Sequence, residues 1–146
     1  MTYLILGLGN PGEEYENTRH NIGRDATAYL AALLGFQYFK LKPENIFVIY
    51  DDIDLPFGTI KISFNKSSGG HKGIESVIKK LKTKEFWRIR VGINPTKKKK
   101  DAMDLVLKKF ASKDEQEIKK LKKEINEALI CAITESPEKA MTLFNQ

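Results

Sequence analysis

Apolar and polar positions along the chain follow two rhythms, one with the period of strands and one with the period of helices. Tyr3-Leu4-Ile5-Leu6 is a continuous apolar run closed by Gly7-Leu8-Gly9-Asn10-Pro11-Gly12, which predicts a buried, central strand ending in a tight loop. Ile22, Ala26, Tyr29, Leu30, Leu33 and Leu34 then recur at three- and four-residue spacing, so a helix is expected, with Gly35 suited to its C-terminal cap. Residues 36–42 read as a short amphipathic stub punctuated by Pro43. Ile46–Tyr50 is a second buried strand that delivers Asp51-Asp52-Ile53-Asp54, and Leu55-Pro56-Phe57-Gly58 turns the chain. Thr59–Phe64 alternates as a strand, and Asn65–Gly70 is a polar, glycine-ended loop running into His71.

Ile74, Val77, Ile78 and Leu81 mark the next helix, and Phe86–Ile93 the next strand, with Trp87, Ile89, Val91 and Ile93 alternating against Arg88 and Arg90. Lys97–Lys100 forms a solvated basic turn and Ala102–Phe110 a short amphipathic segment. Ser112 with Glu115 reads as a capping box for a long helix carrying Ile118, Leu121, Ile125, Leu129 and Ile133. Ser136-Pro137 opens a last helix by cap and first-turn proline. Neither repeat nor linker interrupts this order, so the expectation is one α/β domain over residues 1–146.

Composition narrows the picture. With 146 residues and 41% hydrophobic content the chain suits one globular domain. Its single cysteine, Cys131, cannot close an intramolecular disulfide, and Met1-Thr2 leads straight into a strand without a basic leader, so secretion has no support. The apolar runs fall far short of the roughly 20 residues a spanning helix needs, which argues against a membrane role. Charge is uneven: residues 1–73 carry 7 basic and 8 acidic side chains, residues 74–146 carry 18 and 11. A neutral half beside a basic half suits a chemical site in the first and a polyanion contact in the second, although lysine-rich surfaces also simply keep proteins soluble.

Gly7–Gly12 fits the G-x-G-x-x-G pattern of dinucleotide sites, yet Pro11 falls where the phosphate-binding helix should begin, and Glu13, Glu14 and Glu16 would repel a pyrophosphate. A strained loop that aims Asn10 is the better reading, a structural glycine turn the plainer one. His20, in Thr18-Arg19-His20-Asn21, is the best general base near neutrality in a chain with two histidines, unless it only caps the helix or stands exposed. His71 follows the paired glycines Gly69 and Gly70, which permit close backbone approach by a ligand. Asp51, Asp52 and Asp54 follow a buried strand, where α/β proteins place catalytic groups. They suit a carboxylate that orients a histidine, a magnesium site, or a turn of solvated acids. Ser67 and Ser68 lack a nucleophile elbow and Cys131 lies beside a buried helical stripe, so activated water is the expected attacking group.

Read together and in order, Leu-Gly-Leu-Gly-Asn-Pro-Gly, then Glu-x-Tyr-x-x-Thr-Arg-His-Asn, then Asp51-Asp52-Ile53-Asp54-Leu55-Pro56-x-Gly, then Ser-Gly-Gly-His-x-Gly closely resemble the bacterial-type peptidyl-tRNA hydrolase family. The likeness runs over nearly all of the chain, including the closing segment Ser136–Asn145. It implies a three-layer α/β/α domain with a mixed, mostly parallel sheet, and hydrolysis of the ester joining a peptide to the 3′ ribose of tRNA, a step that recycles tRNA in translation. By the same resemblance His20 would activate water, Asp51 would orient and support it, and Asn10 would help distinguish peptide-blocked tRNA from aminoacyl-tRNA. Tyr15 would contact the tRNA end, while Gly70, His71 and Lys72 would hold substrate, Lys72 standing where the family commonly has asparagine. Lys97, Lys98, Lys99, Lys100, Lys108 and Lys109, with Lys119 and Lys123, would meet the tRNA backbone. No metal or other cofactor is expected, and the protein should be cytoplasmic and a monomer by default. Two departures stand out: the lysine at 72, and a missing block between the first helix and the Pro43 strand that in the family contains Met-Asn-x-Ser-Gly. The expected sheet is reduced accordingly. A tRNA-binding protein without turnover and a magnesium-dependent phosphoesterase built on Asp51, Asp52 and Asp54 are the competing readings.

Overall fold

The computed structural model describes residues 2–10, 12–26, 42–96, 105 and 107–145. Four strands form one sheet: β1 (Leu4–Gly7), β2 (Ile46–Pro56), β3 (Ile60–Phe64) and β4 (Trp87–Asn94), in the order β1-β2-β4-β3. β1, β2 and β4 run parallel, with Ile5 opposite Phe47 and Ile49 opposite Ile89, and β3 closes the edge antiparallel to β4. The sheet is mixed and mostly parallel, as the family resemblance implied.

Period-two alternation distributes β2 between two cores. Ile46, Val48 and Tyr50 pack with Ile74 and Phe86 under helix α1 (Lys72–Leu81). Phe47 and Ile49 face the other way, against Ile22, Leu121, Ile125, Leu129 and Ala140. Those residues belong to a helical stretch over 22–26 and to α2 (Glu115–Thr134) and α3 (Pro137–Phe144), so helices cover both faces and make three layers. Among the described residues no helix is long and apolar enough to cross a membrane. The side chain of Asn145, just past α3, accepts from the Ile62 N–H at 2.6 Å and donates to its carbonyl at 2.7 Å, pairing the outer edge of β3.

Several expectations need correction. Among the described strands β1 lies at the edge of the sheet rather than its centre, with Ile5 buried and Leu4 and Leu6 half-buried, because β2 takes β4 as its second neighbour. β2 does not stop at Tyr50 but runs on to Pro56 through the acidic residues, because β4 offers partners to Gly92 opposite Asp52 and, past a register shift, Asn94 opposite Pro56. The Ser112–Glu115 capping box is not formed. Ser112–Asp114 is a 3₁₀ turn whose Asp114 carboxylate accepts from the Ala111 N–H at 3.1 Å, moving the helix start back by one residue's reach. Ile133 is exposed rather than part of the buried stripe of α2. Lys119 and Lys123 stay exposed, each beside the carboxylate of Glu115 or Glu127 at 3.3 and 3.8 Å, weak surface pairs that do not withdraw them from a polyanion. Tyr29–Leu34 of the first helix, the Gly35 cap, residues 36–41, Lys97–Lys100, and Ala102–Asp104 with Val106 lie outside the described residues.

Close approach of the 22–26 stretch to the sheet fixes the geometry of the site. Leu8 N–H donates to the Ile49 carbonyl at 3.0 Å, and Arg24 N–H to the Leu8 carbonyl at 3.2 Å. A methyl group built on Gly23 would lie 2.2 Å from the Ile49 oxygen, so only glycine lets this stretch rest on β2. Gly23→Ala should therefore cost about 2 kcal/mol of stability, the usual scale for overpacking. It should appear as a lower urea midpoint at unchanged denaturant slope.

Candidate active site

β1 and β2 are parallel neighbours, so the loop after Gly7 and the distal part of β2 emerge at the same end of the sheet, where open α/β sheets bind ligands. A cavity of about 770 Å³ opens there, lined among others by Asn10, His20, Asp51, Gly70, His71 and Lys72. Asp51 is 3% exposed and sits at its floor. His20, in a 3₁₀ turn over Arg19–Asn21, brings Nδ1 to 2.8 Å from Asp51 Oδ1. His71, at the start of α1, brings Nε2 to 2.8 Å from the same oxygen.

A carboxylate accepts only, so both imidazoles donate to it, and the tautomers follow. His71 Nδ1 accepts from the Ile74 N–H at 3.3 Å, capping α1, and with Nε2–H given to Asp51 both its ring nitrogens are committed. His20 uses only Nδ1, which leaves its Nε2 lone pair to take a proton in the cavity. The sequence alone does not separate the two histidines this way.

Electrostatics reinforces the arrangement. The Asp51 hydrogen bond, helped by its charge, raises the His20 pKa above its ordinary value despite the opposing effect of burial. Burial is the largest single influence on Asp51 and pushes its carboxyl up, but the two histidine hydrogen bonds and charges together prevail and hold it below the usual range. Tyr50, edge-on to His71 with ring centroids 4.9 Å apart, is pushed up to about 12 mainly by burial and stays protonated.

Asn10 is held from the far side. Its N–H donates to Asn21 Oδ1 at 2.8 Å, and its carbonyl accepts from Asn21 Nδ2 at 3.0 Å and Arg24 at 2.8 Å. With the main chain of Asn10 so occupied, the loop cannot cradle a phosphate as a dinucleotide fingerprint would, and a three-residue 3₁₀ turn over Glu13–Tyr15 follows it in place of a phosphate-binding helix. Gly9 permits this lock, since a Cβ there would lie 2.7 Å from Asn21 Oδ1.

The three acids do not converge as a magnesium site requires. Asp51 serves the histidines, Asp52 pairs with Arg90 at 3.1 Å and accepts from the Asp54 N–H at 2.8 Å. The atoms of His20, Asp51 and His71 that could hold a cation lie within 4.8 Å of one another. Their 2.8 Å separations are those of hydrogen bonds, whereas neighbouring ligands of a tetrahedral zinc lie roughly 3.3 Å apart.

The remaining expected residues divide. Gly70, His71 and Lys72 line the cavity, while Tyr15 does not: it sits at the end of its 3₁₀ turn, and its carbonyl accepts from the Thr18 hydroxyl at 2.8 Å. Lys108 and Lys109 are exposed beside the cavity wall formed by Leu107, and Lys97–Lys100 fall outside the described residues. Sequence reasoning missed the bond of His71 to Asp51 and the grip of Asn21 on Asn10. The only local sign of the latter was an amide immediately before a helical stripe, which by itself suits a cap equally well.

The family profile described as Peptidyl-tRNA hydrolase matches residues 4–37 and 30–146. The peptidyl-tRNA hydrolase of Aquifex aeolicus is 36% identical over 184 residues, covering 98% of this chain and 96% of its own length. That of Clostridium tetani is 34% identical over 185, covering 98% and 97%. A crystal structure of peptidyl-tRNA hydrolase from Acinetobacter baumannii superposes with a TM-score of 0.85 at 23% identity, covering 98% of this chain and 94% of that one, which shows a shared fold.

Proposed function

This chain belongs to the peptidyl-tRNA hydrolase family, and we propose that it cleaves the ester between peptide and tRNA by a metal-independent attack of water activated by the His20–Asp51 pair. One observation carries this reading: Asp51 holds His20 through Nδ1 at 2.8 Å, leaving Nε2 as the base facing the cavity. Water between Nε2 and the ester carbonyl gives its proton to His20 as the C–O bond forms. Asp51 stabilises the imidazolium without taking the proton itself. The tetrahedral intermediate then expels the ribose 3′ oxygen, which receives the proton back from His20.

Around that step, the side-chain amide of Asn10, its main chain already occupied, orients the peptide end of the substrate. Lys72, an ammonium that can only donate, neutralises the developing oxyanion or a phosphate of the tRNA end, where an asparagine could also accept. Gly70 and His71 shape the wall beneath it, and Tyr15 meets the tRNA end outside the cavity. The basic second half, with Lys97, Lys98, Lys99, Lys100, Lys108 and Lys109, holds the tRNA backbone. The chain works as one unit over 1–146, in the cytoplasm, returning tRNA to translation.

It is also a shortened member of the family, without the Met-Asn-x-Ser-Gly block. In support, the family profile matches in two stretches, and the alignment with the Aquifex aeolicus relative spans 184 positions against a chain of 146 residues. Substrate holding then falls more heavily on Asn10 and Lys72.

The test uses enzyme treated with chelator, desalted, and offered N-acetyl-aminoacyl-tRNA beside plain aminoacyl-tRNA. Release of the acetylated amino acid is expected, preferred over the unblocked substrate, with KM rising steeply with salt as phosphate contacts are screened. Tight, salt-sensitive tRNA binding without cleavage would leave a binding protein, and cleavage restored only by added metal would overturn the proposed mechanism.

A further inference from the structure

Arg19 precedes the proposed base and is 9% exposed, an unusual place for a guanidinium. No carboxylate within ion-pairing distance explains it among the described residues. Instead its Nη1 donates to the Lys109 carbonyl at 2.9 Å, and its Cζ lies 5.3 Å from the centroid of the Phe110 ring, within cation–π range. The main chain repeats the attachment. Arg19 N–H donates to the Lys108 carbonyl at 3.0 Å, Phe110 N–H to the Asn17 carbonyl at 3.1 Å, and Thr18 bridges Lys109. Phe110 in turn packs on Phe57, at the end of β2, with ring centroids 5.3 Å apart.

His20 thus hangs between two anchors. Asn21 ties the downstream side to Asn10, and Arg19 ties the upstream side to a strap over 108–110 that is braced on Phe57, the residue just past the strand carrying Asp51. We propose that Arg19 is a positioning residue of the hydrolytic centre: by gripping the Lys109 carbonyl and the Phe110 ring it sets the place of His20 relative to Asp51. Arg19 touches neither substrate nor the reacting atoms. A buried guanidinium holding a carbonyl and a ring at once allows little rotation, which suits a role in which an ångström matters. The inference rests on the assignment of His20 as the base.

Arg19→Met, with a side chain of similar length and no donor, and Arg19→Lys, which keeps a donor and a cation, separate positioning from bulk stability. Steady-state kinetics on N-acetyl-aminoacyl-tRNA should show kcat lowered by about 10-fold or more in the methionine variant with KM nearly unchanged, and largely recovered in the lysine variant. In ¹⁵N-edited spectra the His20 Nδ1–H resonance should move upfield or be lost to exchange in the methionine variant, while the His71 Nε2–H resonance stays as an internal control. If Arg19→Met does not fold, Phe110→Leu, which removes the ring but leaves the Lys109 carbonyl, should move the same resonance in the same direction by less. Unchanged kcat together with an unshifted His20 proton would refute the proposal. The spectra decide it even if the wild-type protein cleaves no ester, an outcome that would refute the functional reading and leave the positioning role standing.

Discussion

His20→Ala should lower turnover of N-acetyl-aminoacyl-tRNA by about 10³-fold, within the range that a positioned general base contributes. The loss should fall on kcat, because the ring is needed when water gives up its proton and contributes little to holding the tRNA. Neither His71 nor Tyr50 is placed to substitute. His71 has both ring nitrogens engaged by Asp51 and the Ile74 amide, and the Tyr50 phenol is pushed up to about 12. The fold should survive, since His20 is partly exposed and packs no core. Wild-type rates from this variant would remove His20 from the mechanism and with it the central claim about the site.

Asp51→Asn should have the second largest effect, about 10²-fold in kcat, because an amide can both donate and accept and so no longer selects the tautomer that frees Nε2. Its pH signature is distinctive. The base must be neutral to act, so the wild-type rate should fall as pH drops through the His20 pKa, which lies above 6.5. Without the carboxylate the main cause of that rise is gone, and the acid limb of the profile should move to lower pH.

Stability should respond within the same window. Asp51 has a lowered folded pKa, so its contribution is present above the unfolded value near 3.8 and is lost as pH falls through the folded one. The raised pKa of His20 gives stabilisation that is fully present below 6.5 and lost as pH rises through the folded value. The difference in unfolding free energy between wild type and Asp51→Asn should therefore peak between about pH 4 and 6.5 and narrow on either side. A pH-independent difference would mean that the three side chains are not coupled as the distances indicate.

Much of the fold was legible because local periodicity reports it. The runs Tyr3–Leu6 and Ile46–Tyr50 are apolar on both faces, as parallel strands covered by helices must be. The stripe of Leu121, Ile125 and Leu129 lies on the buried side of α2 and is continued by Ala132, while Ile133 falls on the exposed side of the last turn. One misreading came where a distant partner outbid a local signal: Leu55-Pro56 looks like the start of a turn, yet pairing with β4 carries the strand on to Pro56. The other was local, the capping contact lying one residue earlier, between Asp114 and Ala111, than Ser112 and Glu115 suggest.

The site divides along the same line. That the chain holds two histidines, a carboxylate at a strand end and an asparagine in a glycine loop follows from residue order alone, and their types offer an imidazole general base beside a carboxylate cation site without choosing between them. Only the tertiary structure decides that one Asp51 oxygen receives both His20, 31 residues before it, and His71, 20 residues after, and that the helix cap silences one of them as a base. The physical reason is range. Helical and strand periods are set by neighbours a few residues away, whereas the direction of an imidazole lone pair depends on parallel register, on Gly23 resting against β2, and on hydrogen bonds between segments no local pattern connects.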